Sequence, residues 1–358
     1  RGTLAAVARV FSADARMRSG FFRALATMVG AGVSVRRALS TALSVQADRA
    51  FAEAIRSIAA DVERGDPLSQ AFDRHPSEFG SVTRAMLRAG EERGTLDRAL
   101  TDIADLEERG RALRHRVASA FAYPSIVAAS AAGLVVFLVA NTMPAFSAMF
   151  EQMHVPLPWG TQMLVAVGRT FGSPIFWIAV PAAALASLGA ARASIRREGT
   201  LALALDRIRL RLPAVGAIVR KAATSRFART LGLLLRSGID AAAALELAGG
   251  VTGSLVYRRA LRDLPDALRR GDTLLVALQG SGLFDGIALT LVRAGEESGT
   301  LDAMLVHLAT HYDVDVESAL ATLGSVIEPI LICIVGAIVG CIVAAILIPL
   351  YSLIGSIR

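Results

Sequence analysis

The ten residues RAGEERGTLD, Arg88 to Asp97, return as RAGEESGTLD, Arg293 to Asp302, at an offset of 205. Such agreement within one chain marks an internal repeat, and a repeat governs every later step of the reading. Other pieces keep nearly the same spacing. Phe21, Arg23, Leu25 and Gly32 correspond to Phe227, Arg229, Leu231 and Gly238, and Arg64-Gly65-Asp66 corresponds to Arg270-Gly271-Asp272. Pro124 matches Pro329, and Met143-Pro144 matches Ile348-Pro349. The repeated unit is therefore a mixed polar and apolar region that leads into a long apolar run.

Hydrophobic residues make up 54% of the chain and aromatics only 6%, a balance dominated by Ala, Leu and Val that favours helix over strand. Apolar residues recur at helical spacing, as at Phe21, Leu25, Met28 and Val29 or Phe51, Ile55 and Ile58. No useful length of alternating apolar and polar residues is present, so no sheet is expected. The expected fold class is an all-α membrane protein with two homologous bundles of about six helices each and three transmembrane helices.

The three spans come from runs free of Asp, Glu, Lys and Arg: Val117 to Phe150, Thr170 to Ala191 and Pro329 to Ile357. Each can supply the roughly 20 apolar residues that cross a bilayer core. Their cores are placed near Ser125 to Thr142, Pro174 to Leu188 and Ile330 to Ile348. Arginines set the orientation. Arg109, Arg111, Arg114 and Arg116 crowd the start of the first span, and Arg192, Arg196 and Arg197 follow the second. The segment between those spans holds only Arg169 and Glu151. The N-terminus and both bundles are thus expected in the cytoplasm, with a short periplasmic loop over about 143–170. The middle span has no counterpart in the repeat. It returns the chain to the cytoplasm, so that two copies of a one-span unit keep the same sidedness. The expected divisions are a first bundle over 1–116, two spans over 117–191, a second bundle over 192–322, and the last span with a short periplasmic tail over 323–358.

The net charge of +7 rests almost wholly on arginine, Lys221 being the sole lysine. Its placement beside the spans makes it a membrane-orientation signal. Aromatic residues do not interleave with the arginines, which argues against nucleic acid.

Turn chemistry punctuates the bundles. Gly32 and Gly238 fit helix C-terminal positions, and Ser34 suits the cap of the next helix. Asp66-Pro67 pairs an N-cap aspartate with proline in the first turn. From Thr95 to Arg116 the apolar positions Leu96, Leu100, Ile103, Leu106 and Leu113 continue without a strong break, so the last helix of each bundle is expected to run on into its span, with Pro124 permitting a kink.

In the duplicated motif, Gly94 and Gly299 end one helix, and Thr95 and Thr300 cap the next. Asp97 and Asp302 favour the positive helix start. Glu91, Glu92, Glu296 and Glu297 read as exposed turn charges of small weight in folding, or as contacts for a basic partner. Glu328, at the mouth of the last span before Pro329, is a carboxylate at membrane depth and a candidate partner or oligomer contact.

No catalytic, cofactor or metal set emerges. His307 and His311 share a helix face, but Leu308 follows His307, which breaks the metalloprotease pattern. Lys221 lies between Arg220 and Ala222, outside any phosphate loop, and no Gly-x-Ser-x-Gly elbow is present. Cys333 and Cys341 sit eight apart in an apolar run, which implies neither disulfide nor metal.

The duplicated GEExGTLD, the Gly32-Val33 and Gly238-Ile239 turns, Tyr123-Pro124, Pro144-Ala-Phe146 with Pro156-Leu-Pro158, and Glu328-Pro329 together resemble the type II secretion F domain family. The likeness covers residues 18 to 355 in two copies. Family members usually carry a longer segment ahead of the first bundle than Arg1 to Arg18, and the resemblance implies nothing about contacts made through it. The resemblance implies a non-enzymatic inner-membrane platform of a type II secretion or type IV pilus machine. Its implied partners are a cytoplasmic hexameric secretion or pilus ATPase, pilin or pseudopilin subunits, other inner-membrane assembly proteins and further copies of itself. The alternative is a small transporter or channel subunit acting as an oligomer, which needs a polar path through the membrane. The span cores offer little for it beyond Ser130, Asn141 and Thr142.

Overall fold

The computed structural model describes residues 3–43, 49–152, 200–213 and 215–356. Among them every regular element is a helix. In the first copy these are α1 (Thr3–Gly30), α2 (Val35–Leu43), α3 (Arg49–Glu63), α4 (Leu68–Asp73), α5 (Ser81–Glu92) and α6 (Leu96–Gln152). After α7 (Thr200–Arg211) the second copy follows as α8 (Val215–Arg236), α9 (Ala241–Gly250), α10 (Leu255–Ala260), α11 (Leu264–Arg269), α12 (Leu274–Ser281), α13 (Gly286–Ser298) and α14 (Leu301–Ser356). The counterpart of α3 is split into α10 and α11, with Pro265 inside the first turn of the second piece. Proline fits there because a first-turn N–H has no helical acceptor.

Residues 1–117 and 203–319, which hold both bundles, form one compact unit, while 118–202 and 320–358 form another. In the first unit an aromatic cluster recurs in both copies. Phe21, Phe51 and Phe79 meet at ring distances of 5.7 to 6.5 Å, and Phe72 lies 4.5 Å from Phe79. Their counterparts Phe227, Tyr257 and Phe284 pack with Phe284 at 5.3 and 6.4 Å from the other two. All of these but Phe284 are fully buried. Each such ring contributes about 1.5–3 kcal/mol by leaving water. Leu25, Ile55 and Ile58, expected as core from their spacing, are buried as well.

An ion pair joins the first and last helix of each bundle at repeat-related positions. Arg23 on α1 donates to Glu108 on α6 at 2.8 and 2.6 Å, and to Asp105 at 2.5 Å. Arg229 on α8 donates to Asp313 on α14 at 2.6 Å. The Arg23 hydrogen bond holds the Glu108 carboxyl below its ordinary value against a smaller effect of burial.

Helices α6 and α14 run without interruption from bundle into apolar segment, through Pro124 and Pro144 in one and Pro329 and Pro349 in the other. Both are long and apolar enough to cross a membrane. The segment expected to become a loop near residue 143 is still helical to Gln152. A proline removes one backbone donor but does not end a helix where neighbouring groups and apolar surroundings keep the remaining bonds formed. The middle span expected at Pro174 to Leu188, the arginines after it and Pro156-Leu-Pro158 lie outside the described residues.

Candidate functional site

The duplicated motif forms the same backbone turn twice. Gly94 and Gly299 stand at φ +70° and +68°, the left-handed region that glycine enters without a Cβ penalty. The Thr95 N–H donates to the Gly90 carbonyl at 2.8 Å and the Gly94 N–H to Glu91 at 3.2 Å; Thr300 to Gly295 and Gly299 to Glu296 repeat this at 3.0 and 3.4 Å. This pair of bonds is the Schellman ending. Gly90 and Gly295 are needed for another reason. A Cβ on Gly90 would stand 2.4 Å from the Ala99 Cβ, and one on Gly295 2.8 Å from the Leu301 Cα. The turn thus folds the start of α6 or α14 directly onto the helix before it. Asp97 and Asp302 lie in the first turns of α6 and α14. Thr95 and Thr300 sit just ahead of those helices, and the Thr300 hydroxyl lies 2.7 Å from that of Ser298.

The four glutamates divide into two kinds. Glu91 accepts from the Leu68 and Ser69 N–H groups at 2.6 and 2.9 Å, and from the Ser69 hydroxyl at 2.5 Å. Glu296 accepts from the Leu274 and Leu275 N–H groups at 2.6 and 3.3 Å. Each is therefore the anionic cap of α4 or α12, supplied from a distant helix. This corrects two expectations. Glu91 and Glu296 are not free turn charges, because they satisfy helix-start donors that have no intrahelical partner. Asp66 is not the cap of α4 either. Pro67 holds the N-cap position, and the Asp66 carboxylate pairs with Arg74 at 2.8 Å instead. Glu92 and Glu297, one residue on, face solvent.

Within the bundles, contacts cross between the copies. Arg93 donates to the Gly238 carbonyl at 2.7 Å, and Arg116 pairs with Glu317 at 2.8 Å. Arg236 donates to both oxygens of Asp102, its Nε at 3.2 Å. Burial pushes the Asp102 carboxyl up, and Arg236 opposes that rise. Among the ten residues of the duplicated motif, the single difference is Arg93 against Ser298. Arg93 makes the inter-repeat bond, while the Ser298 hydroxyl turns back to the Ala294 carbonyl at 2.6 Å. The substitution was visible in the sequence, but its partner 145 residues away was not.

Glu328 meets its own repeat counterpart. The Tyr123 hydroxyl on α6 donates to Glu328 Oε1 on α14 at 3.0 Å. His307 and His311 lie exposed on α14. Among the described residues no His, Cys, Asp or Glu group is arranged to hold a metal. The geometry is that of a scaffold: repeated caps, ion pairs between helices and a seam between two copies.

Comparison with known proteins agrees with this architecture. The profile of the family described as "Type II secretion system (T2SS), protein F" matches residues 21–144 and again 227–349. A type IV pilus assembly protein PilC from Thermus thermophilus is 35% identical over 341 residues, covering 94% of this chain and 82% of its own. A type II secretion system protein F from Xanthomonas campestris pv. campestris is 32% identical, with the same two coverages. A protein transport protein HofC homolog from Escherichia coli is 29% identical over 92% of this chain and 82% of its own. With the family profile matching once in each repeat, the chain belongs to the type II secretion system protein F family.

Proposed function

We propose that the chain is a bacterial inner-membrane platform on which a type IV pilus or a type II secretion pseudopilus is assembled. In this reading both bundles face the cytoplasm and bind the assembly ATPase. The spans and short outward segments meet pilin or pseudopilin subunits and other inner-membrane assembly proteins, and several copies assemble together. The chain is not itself an enzyme, and hydrolysis belongs to the ATPase. One observation carries the proposal. In both copies the helix that closes the bundle continues unbroken into the apolar segment, as α6 and α14. On either side of Pro124 or Pro329 the helix is stiff because its N–H groups are bonded four residues back, and each proline removes only one such bond. A push on a bundle is thereby passed to its span.

The test uses the full-length chain, purified in detergent with a pilus or secretion assembly ATPase of the same organism. Stable co-purification, no ATP hydrolysis by the chain alone, and loss of pili or secretion on deletion of its gene are the expected results. A chain that leaves both assemblies intact when deleted, yet moves a solute across proteoliposomes, is a transporter subunit instead.

A further inference from the structure

We propose that a cavity between the two repeats binds a phosphate-bearing anion. The cavity measures about 350 Å³ and lies within the compact unit formed by both bundles. That volume falls in the range of small-ligand sites. Five arginines line it, Arg18, Arg109, Arg114, Arg226 and Arg229, against two carboxylates, Glu107 and Asp313.

Asp313 is already engaged, since it accepts from Arg229 at 2.6 Å and from the Ser225 hydroxyl at 2.5 Å. Arg226 spends two donors on a neutral acceptor, the Thr252 carbonyl, at 2.9 and 2.5 Å. Burial and the nearby charges of Arg209 and Arg114 weigh against the Arg226 cation. Positive charge gathered in a half-enclosed space is costly unless an anion joins it. A guanidinium fork matches phosphate oxygens in geometry as well as charge. The first turn of α5 also lines the cavity, and its N-cap is Gly80, which has no side chain to cap the free N–H groups.

The duplication supplies an internal control. Arg229 has an arginine counterpart in the other copy, Arg23, and both pair with a carboxylate of the closing helix. The other four do not. Arg18 and Arg226 correspond to Thr224 and Gly20, and Arg109 and Arg114 to Val314 and Ala319. Folding of a bundle therefore does not require a charge at any of these four positions, because the matching position in the other copy carries none. In the sequence the charge-free run opens at Val117, three residues after Arg114. An anionic phospholipid headgroup is for that reason the first source to try, and a soluble phosphate the second.

The experiment uses the full-length chain in nanodiscs. One arm titrates inorganic pyrophosphate into discs of phosphatidylcholine at constant ionic strength. The other mixes phosphatidylglycerol into the discs and counts, by native mass spectrometry, the molecules the protein retains. Saturable binding in the first arm identifies a soluble phosphate, and retention in the second alone identifies a headgroup. In whichever arm binds, Arg109→Gln and Arg114→Gln should each weaken it roughly tenfold, as expected for one charge-assisted hydrogen bond. Both side chains are exposed, so the variants should fold, and their melting checks it. Arg270→Gln with Arg293→Gln, which removes two exposed positive charges elsewhere, should change nothing. Binding in neither arm overturns the proposal, as does binding that the Arg109 and Arg114 variants retain.

Discussion

Arg93 of the first repeat donates to the Gly238 carbonyl of the second at 2.7 Å, so a turn that is duplicated in sequence serves as a dock in only one copy. A Cβ on Gly238 would fall within 1.5 Å of the Arg93 guanidinium. Arg93→Ser, which installs the residue of the other copy, should cost about 1 kcal/mol, the net worth of one hydrogen bond. Gly238→Ala should cost a similar amount, about 1 kcal/mol, because the residue sits at φ +75°. After Gly238→Ala the Arg93 substitution should cost almost nothing further, since the new methyl already displaces the guanidinium. Denaturant melts of the four proteins measure this cycle, and strict additivity would mean that Arg93 is not docked there.

The glutamate pairs separate by role. Glu91→Gln and Glu296→Gln should each lower stability by about 1–2 kcal/mol, because a charged acceptor for two helix-start N–H groups becomes a neutral one. Glu92→Gln and Glu297→Gln should leave melting unchanged, being exposed charges beside a turn. If Glu92 or Glu297 meets a basic partner, its Gln variant will melt normally and yet lose pili or secretion. Normal melting and normal assembly in both would remove these two from the functional surface.

Acid should act on the bundles through Glu108. Its folded pKa is lowered by the Arg23 hydrogen bond from an ordinary value of 4.5. The stability it contributes is complete above that value and is lost as pH falls through the lower folded one. Wild-type stability should thus decline on the acid side of about pH 4.5, and Glu108→Gln should make that decline shallower. Stability measured against pH for the two proteins checks the sign. A steeper fall in the variant would contradict the pairing.

At the mouth of the spans, Tyr123 requires an acceptor on Glu328 but not a charge. Glu328→Gln should keep the hydrogen bond and the stability in detergent, whereas Glu328→Leu should lose both. Assembly that fails in Glu328→Gln while melting is unchanged would assign the carboxylate to a partner or to another copy. Assembly that survives both changes would leave it a local clasp.

The proposed topology rests on the arginine clusters and is open to a direct test. In a background with Cys333 and Cys341 replaced by Ala, a membrane-impermeant thiol reagent applied to intact cells should modify Met153→Cys or Gly160→Cys. It should spare Thr95→Cys and Thr300→Cys. Labelling at residue 300 from outside would overturn both the orientation and the return role of the middle span.

Much of this protein is written in local pattern. The two copies, the helices and the apolar cores around Phe21 and Phe227 follow from 3.6-residue periodicity and from glycines whose turn needs φ > 0. The continuation of α6 and α14 beyond the bundles follows from the absence of any break until proline. These features depend on residues within a turn or two of one another, so they survive without knowledge of the packing. The roles of Glu91, Arg93 and the cavity arginines do not. Glu91 looked like one exposed charge of a pair because its partners at Leu68 and Ser69 come from another helix. The partner of Arg93 lies 145 residues away, and the five arginines of the cavity come from α1, α6 and α8. Side chains so distant in sequence meet only after burial of the apolar faces has set the helices against one another, and that arrangement belongs to the tertiary structure alone.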